Sequence, residues 1–146
     1  MKINKITTVE ELSDYIPHVL DCYKKYRYLF EETMTQEIFI ARMFTYFRDP
    51  KNLYFGYINE KGIMEFFMCS IILDERDPDV RLVWFCFSHP RYHKYTYERF
   101  NFIENYARMI GIKEVRFITP RLTRSYRKFA QRIGAKPMLI TYRKVL

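Results

Sequence analysis

The sequence is poor in residues that break or cross-link a chain: its 146 residues hold four glycines, six prolines and three cysteines. So little glycine and proline excludes collagen-like repeats and flexible linkers, and hydrophobic residues at 49% exclude disorder. The glycines, at 56, 62, 111 and 134, are too scattered to build a P-loop or a GxGxxG fingerprint. Cys22, Cys69 and Cys86 are odd in number and far apart, which excludes a disulfide framework or a paired zinc knuckle and fits a reducing, cytoplasmic compartment. Long apolar runs are missing too. The longest stretch, Phe66 to Leu73, is far short of a membrane span, and Met1 to Ile6 lacks the apolar core of a signal peptide. The expectation is one soluble domain over 1–146 with one core and no membrane contact.

What the chain does have is rings and a one-sided charge. Tyrosine and phenylalanine number 13 each, enough to fill a small core with large side chains. Nothing after Glu114 is acidic, while nine lysines and arginines follow it, so the formal +8 belongs to this end and the rest is close to neutral. A local field of that sign suits an anionic ligand or surface. Arg121, Arg124, Lys128 and Arg132 share one face of the last helix, opposite a Leu122, Tyr126, Phe129 and Ile133 stripe. That face is either solvated or a contact for an acidic protein or nucleic-acid phosphate. Base stacking is not expected, since the aromatics of this helix point inward.

Local signals order the elements. Lys2 to Thr7 reads as a short strand, and Thr8 begins a Thr-x-x-Glu capping box with Glu11. Val9, Leu12, Ile16, Val19, Leu20 and Tyr23 recur at helical spacing, divided or kinked by Pro17. Thr33 and Thr35 offer caps for a helix over Gln36 to Phe47, apolar on most faces and so expected to be covered on more than one side. Leu53 to Ile58 and Ile63 to Leu73 form a hairpin about Asn59 to Gly62, with a second turn at 74–79. Val80 to Phe87 is nearly continuous in apolar residues, as in a strand buried on both faces. A helix follows with Phe100, Ile103, Tyr106, Ala107 and Ile110 inward, then a strand at Lys113 to Thr119, the last helix closed by Gly134, and a strand at Met138 to Val145. The order is β-α-α-β-β-β-α-β-α-β. Its C-terminal β-α-β unit requires a parallel pair, so the class is α/β with a mixed sheet.

This order, with Tyr106-Ala107-Arg108-Met109-Ile110-Gly111-Ile112-Lys113 closing one helix and Phe129-Ala130-Gln131-Arg132-Ile133-Gly134-Ala135 closing the next, resembles the GNAT superfamily of acyl-CoA-dependent N-acyltransferases. The resemblance spans essentially the whole chain and implies transfer of an acyl group, typically acetyl, from acetyl-CoA to an amine of a small molecule or protein. It implies a fourth strand that splays from the fifth, so that pantetheine pairs with backbone near Phe85, Cys86 and Phe87. It also places a phosphate-binding loop on Arg91-Tyr92-His93-Lys94-Tyr95-Thr96. The family's loop glycines, which let backbone N–H groups approach a pyrophosphate, fall here on Lys94 and Thr96, or on Thr96 and Glu98 if the motif starts at His93, and neither register supplies a glycine. Arg91, His93 and Lys94 can instead reach phosphate oxygens with side chains, and Thr96 can cap the helix. The CoA 3′-phosphate is a further candidate for the basic last helix.

The expected proton-transfer groups also depart from the pattern. The family's general-acid Tyr falls on Ala130, leaving Tyr126 one turn earlier as the candidate acid, although its spacing also fits the core stripe. The fourth strand has no Glu, leaving His89 at its end as the candidate base or a structural histidine. Cys86, His89 and His93 are spaced loosely like metal ligands, but Pro90 intervenes and no fourth ligand is near, so no metal site is expected. The alternative to an enzyme is a GNAT-like fold used as a binding or structural component through its basic C-terminal face.

Overall fold

Two neighbouring strands, β2 (Asn52–Ile58) and β3 (Met64–Leu73), sort the aromatic residues into two cores, because successive side chains of a strand point to opposite faces. Leu53, Phe55 and Tyr57 join Phe67 and Cys69 on one face. Tyr54 and Phe66 lie on the other. The computed structural model describes residues 2–29, 31–73, 80–85, 96–117 and 124–136, with 80–85 known by their backbone. Among these, the remaining elements are β1 (Asn4–Ile6), α1 (Val9–Ser13), α2 (Ile16–Tyr26) with a 3-10 turn (Arg27–Leu29) after it, α3 (Gln36–Phe47), β4 (Val80–Phe85), α4 (Thr96–Met109), β5 (Glu114–Phe117) and α5 (Arg124–Arg132). The sheet order is β1-β2-β3-β4-β5. The first three pairings are antiparallel and β4–β5 is parallel, the mixed α/β sheet that the sequence predicts. The expected turn at 74–79 and strand at 138–145 lie outside the described residues.

Each sheet face takes a helical layer. Leu12, Tyr15, Val19 and Met43 of the N-terminal half pack on Tyr54 and Phe66, whereas Phe100, Ile103, Ala107 and Phe129 of α4 and α5 pack on Phe55, Tyr57 and Phe67. The predicted caps form, with one shift. Thr8 accepts the Glu11 N–H at 3.1 Å, but the Glu11 carboxylate reaches back to the Thr7 N–H, one residue earlier than a full capping box requires. The chain breaks between α1 and α2, and Pro17 stands in the first turn of α2, where its missing donor costs nothing.

Three packing expectations are corrected. α3 is not covered on more than one side: Met43 is buried, while Ile38 and Tyr46 are exposed. Its buried side meets both α2, where Phe39 packs against the Tyr23 ring at 5.6 Å, and the sheet, and nothing among the described residues covers the side that carries Ile38 and Tyr46. Val9 is exposed as well. Ile110 lies outside because α4 ends in a Schellman turn, with Gly111 at φ +78°. The Ile112 N–H bonds to Ala107 O at 2.8 Å and the Gly111 N–H to Arg108 O at 3.2 Å, which carries Ile112 into the core in place of Ile110. The same two bonds close α5 at Gly134 and Ala135.

Gly56 is required by closeness rather than by backbone angle. The Tyr15 ring lies against it, edge-on to Phe66 at 5.9 Å, and Phe66 stacks on Tyr54 at 5.6 Å. The Tyr54 hydroxyl donates to Met43 O at 2.9 Å, and burial holds its pKa well above the usual tyrosine value. A methyl at position 56 would have to displace the Tyr15 ring from this stack. Gly56→Ala is therefore expected to destabilise the fold by about 1–3 kcal/mol in urea unfolding, the usual cost of overpacking.

Candidate functional site

In open α/β sheets, ligands bind beyond the carboxyl ends of parallel strands, where the chain turns into a helix whose free N–H groups face the crevice. Here β4 and β5 form that pair, and α4 begins at that end. Two of the sequence candidates, Phe85 and Thr96, are described at this end. Phe85 is the last described residue of β4 and pairs with Met68 of β3. Thr96 opens α4, half-buried, with its hydroxyl 3.3 Å from Arg99 Nη2. Cys86, Phe87, His89, Arg91, Tyr92, His93, Lys94, Tyr95 and Arg121 lie outside the described residues. Tyr126 is in α5, where its backbone alone is described.

Two charged side chains that sequence reasoning missed stand at this end. Arg99, on the inner face of α4, is fully buried. Helical side chains lean toward the helix N-terminus, and Arg99 follows that rule: Nη2 donates to Thr96 Oγ1 and Nη1 to Tyr57 Oη at 2.9 Å. Its guanidinium carbon is 5.9 Å from the Tyr57 ring centroid. Tyr57 in turn is the register partner of Glu65, on the same sheet face as Phe67 and Cys69. Glu65 is 0% exposed, and neither of its carboxylate oxygens accepts a hydrogen bond. It lies three residues beyond the Met68–Phe85 pair, on the side toward which β4 runs. A cation and a carboxylate are thus buried at the carboxyl end of the parallel pair. Their sequence signal is slight: each is a single charge set in an otherwise apolar stripe.

Arg99 adds its charge to the positive end of α4, so the entry to this helix favours an anion.

A second polar cluster is structural. His18 and Cys22, four residues apart on α2 and both buried, face each other with Nε2 to Sγ at 3.4 Å. The Phe66 N–H donates to His18 Nδ1 at 3.1 Å. Nδ1 is thereby an acceptor, so the neutral ring carries its hydrogen on Nε2, toward the sulfur. A ring in that tautomer cannot take the thiol proton. It clasps α2 to β3 instead.

On α5, Arg124, Arg127, Lys128 and Arg132 are exposed. Arg132 is partly tied down, its guanidinium 4.5 Å from the Tyr97 ring centroid. Among the described residues, no cluster of histidine, cysteine and carboxylates could hold a metal ion, and no helix is long and apolar enough to cross a membrane.

The sequence matches no family model and no curated protein. Solved structures do match it along its length. A GNAT family acetyltransferase from Staphylococcus aureus superposes with a TM-score of 0.70 over 100% of both chains at 11% identity. A ribosomal-protein-alanine N-acetyltransferase from Brucella melitensis gives 0.69 over 100% of both at 11% identity. A glucosamine-6-phosphate N-acetyltransferase from Arabidopsis thaliana gives 0.67, over 99% of this chain and 97% of its own, at 15% identity. At such identities the likeness is one of fold. The chain has the GNAT fold, the fold of these N-acetyltransferases.

The Tyr57 hydroxyl accepts from a buried, permanently charged donor. Tyr57→Phe is therefore expected to cost about 1.5–3 kcal/mol in chemical denaturation, the range for hydrogen bonds to charged groups. A loss close to zero would show that the bond does not hold α4 to β2.

Proposed function

We propose that the protein is an acyl-CoA-dependent N-acyltransferase that moves an acetyl group to an amine. The observation that carries this reading is the meeting of the β4–β5 carboxyl ends with the start of α4 and buried Arg99, within a GNAT fold. Acetyl-CoA, when bound, supplies the activated acyl carbon. The chain's part is to bind, orient and move protons. Arg91, His93, Lys94 and Thr96 hold the phosphates with side chains where glycines would have offered backbone, and Phe85, Cys86, Phe87, Tyr92 and Tyr95 border the remainder of the donor. His89 takes the proton of the attacking amine. Tyr126 returns one to the departing sulfur. Two of the structural neighbours are named for amine acceptors, a ribosomal-protein alanine and glucosamine 6-phosphate, which supports an amine as the acceptor class. Alignment of acyl carbon and amine supplies much of the acceleration even where proton transfer is inefficient.

Titration calorimetry with acetyl-CoA tests the reading. Binding is expected, and Arg91→Ala combined with Lys94→Ala should weaken it by about tenfold or more, as loss of charge-assisted bonds does. Absence of heat at millimolar ligand would overturn the assignment.

The exposed basic residues of α5 favour a second role, attachment to an acidic protein or, through phosphate, to nucleic acid. Arg124→Glu with Lys128→Glu should then elute from a heparin column at lower salt than the unaltered protein. Unchanged elution would leave this face as a solvated surface.

A further inference from the structure

Like charges on neighbouring turns of a helix repel, so a face made of them costs stability unless something outside the chain answers it. α5 has such a face. Arg124, Arg127, Lys128, Gln131 and Arg132 recur at i, i+3, i+4, i+7 and i+8, and all five are exposed. No residue after Glu114 is acidic, and the two acidic residues that come before α5 in the chain, Glu104 and Glu114, are already paired with Arg108 and Arg116. The opposite side of the helix is anchored. Phe129 is buried against the edges or faces of Phe100 and Phe117, which fixes the rotation of α5 and holds its cations outward.

We propose that this face binds the phosphate backbone of double-helical nucleic acid. The inference rests on the attachment role of α5, which it commits to one partner, and it is independent of the acyltransferase reading. Composition argues against a protein partner. The cores of protein–protein interfaces are depleted in charge and built around apolar or aromatic anchors. The exposed residues described on α5 are four cations and one amide, with no such anchor among them. Phosphate binding needs charge alone. Charge density points the same way. Arg124, Lys128 and Arg132 stand one above another in steps of about 6 Å, a row about 12 Å long that Arg127 widens. Over that length a double helix carries about seven negative charges. The rings then separate duplex from single strand. Proteins that hold single strands stack the bases on aromatic side chains set among their cations. Tyr97, the ring beside this face, lies under the Arg132 guanidinium at 4.5 Å, and Phe129 is turned inward. Neither is open to a base. A duplex, whose bases are already stacked, asks for none.

Fluorescence anisotropy tests this with four labelled probes: a DNA duplex, the RNA duplex of the same sequence, the DNA single strand, and poly-L-glutamate of matched charge. The unaltered protein should bind at least one duplex more tightly than the single strand or the polypeptide. The logarithm of Kd should rise with the logarithm of salt concentration with a slope of about 3–4, as neutralisation of four duplex phosphates requires. Arg124→Gln with Lys128→Gln should weaken duplex binding by about tenfold or more and roughly halve that slope, with an unchanged melting temperature. Lys5→Gln with Lys24→Gln removes the same charge from exposed positions on β1 and α2, away from α5, and should leave affinity and slope as they were. The inference is overturned if neither duplex binds, if the single strand binds more tightly, or if the two double variants weaken binding equally, since net charge alone would then account for it. Preference for poly-L-glutamate would also overturn it, while keeping an acidic protein as the partner of α5. Binding to none of the four probes would remove the attachment role altogether.

Discussion

The register of the β2–β3 hairpin is the constraint on which the rest of the structure depends. Tyr54 pairs with Met68, Phe55 with Phe67 and Tyr57 with Glu65. Because the side-chain period of a strand is two, a slip of one residue would exchange the two cores and turn Glu65 toward the N-terminal helices. The turn helps to fix it. Asn59 Oδ1 accepts the Lys61 and Ile63 N–H groups at 2.9 and 3.0 Å, and Gly62 at φ +73° lets the chain reverse. Register, two-sided core and the position of the buried carboxylate are therefore one feature.

Aromatic packing converts that register into rigidity. On the α4 face, Phe55 meets the edges of Phe102 and Tyr106 at 5.0 and 5.2 Å, and Phe129 of α5 meets Phe100 and Phe117 at 5.8 Å each. Edge-to-face pairs of this kind add about 0.5–1.5 kcal/mol each beyond the area they bury. They tie both C-terminal helices to the strands that flank the candidate site.

Much of the fold was legible in the sequence, because its strongest signals are local. Thr8 and Thr35 cap their helices through their own hydroxyls, Gly111 closes α4, and the helix expected at Gln36 to Phe47 has those bounds. What failed depended on distant parts of the chain. Periodicity identified an apolar stripe on α3, but it could not say whether a second layer would cover Ile38 and Tyr46. It aimed Ile110 inward because helical spacing continues on paper through a residue that the Schellman turn removes from the helix. The site was harder still. A lone Glu in a strand and a lone Arg in a helix read as surface charges, and only the pairing of β2 with β3 and the packing of α4 above them reveal that Glu65 and Arg99 are inside.

That difference bears on how this chain departs from its fold relatives. On the proposed reading, a loop without glycine brings backbone N–H groups less close to a pyrophosphate, and the attraction for an anion falls to side chains and the helix end. Arg99 supplies a fixed charge at that end, at the cost of burying a guanidinium whose Nη1 and Nη2 donate to Tyr57 and Thr96. Glu65 lies on the same face, fully buried, with neither carboxylate oxygen hydrogen-bonded. The two missed residues are therefore best understood together: Arg99 and Glu65 place opposite charges on one buried face of the sheet, and Tyr57 bonds to the first and stands across the ladder from the second.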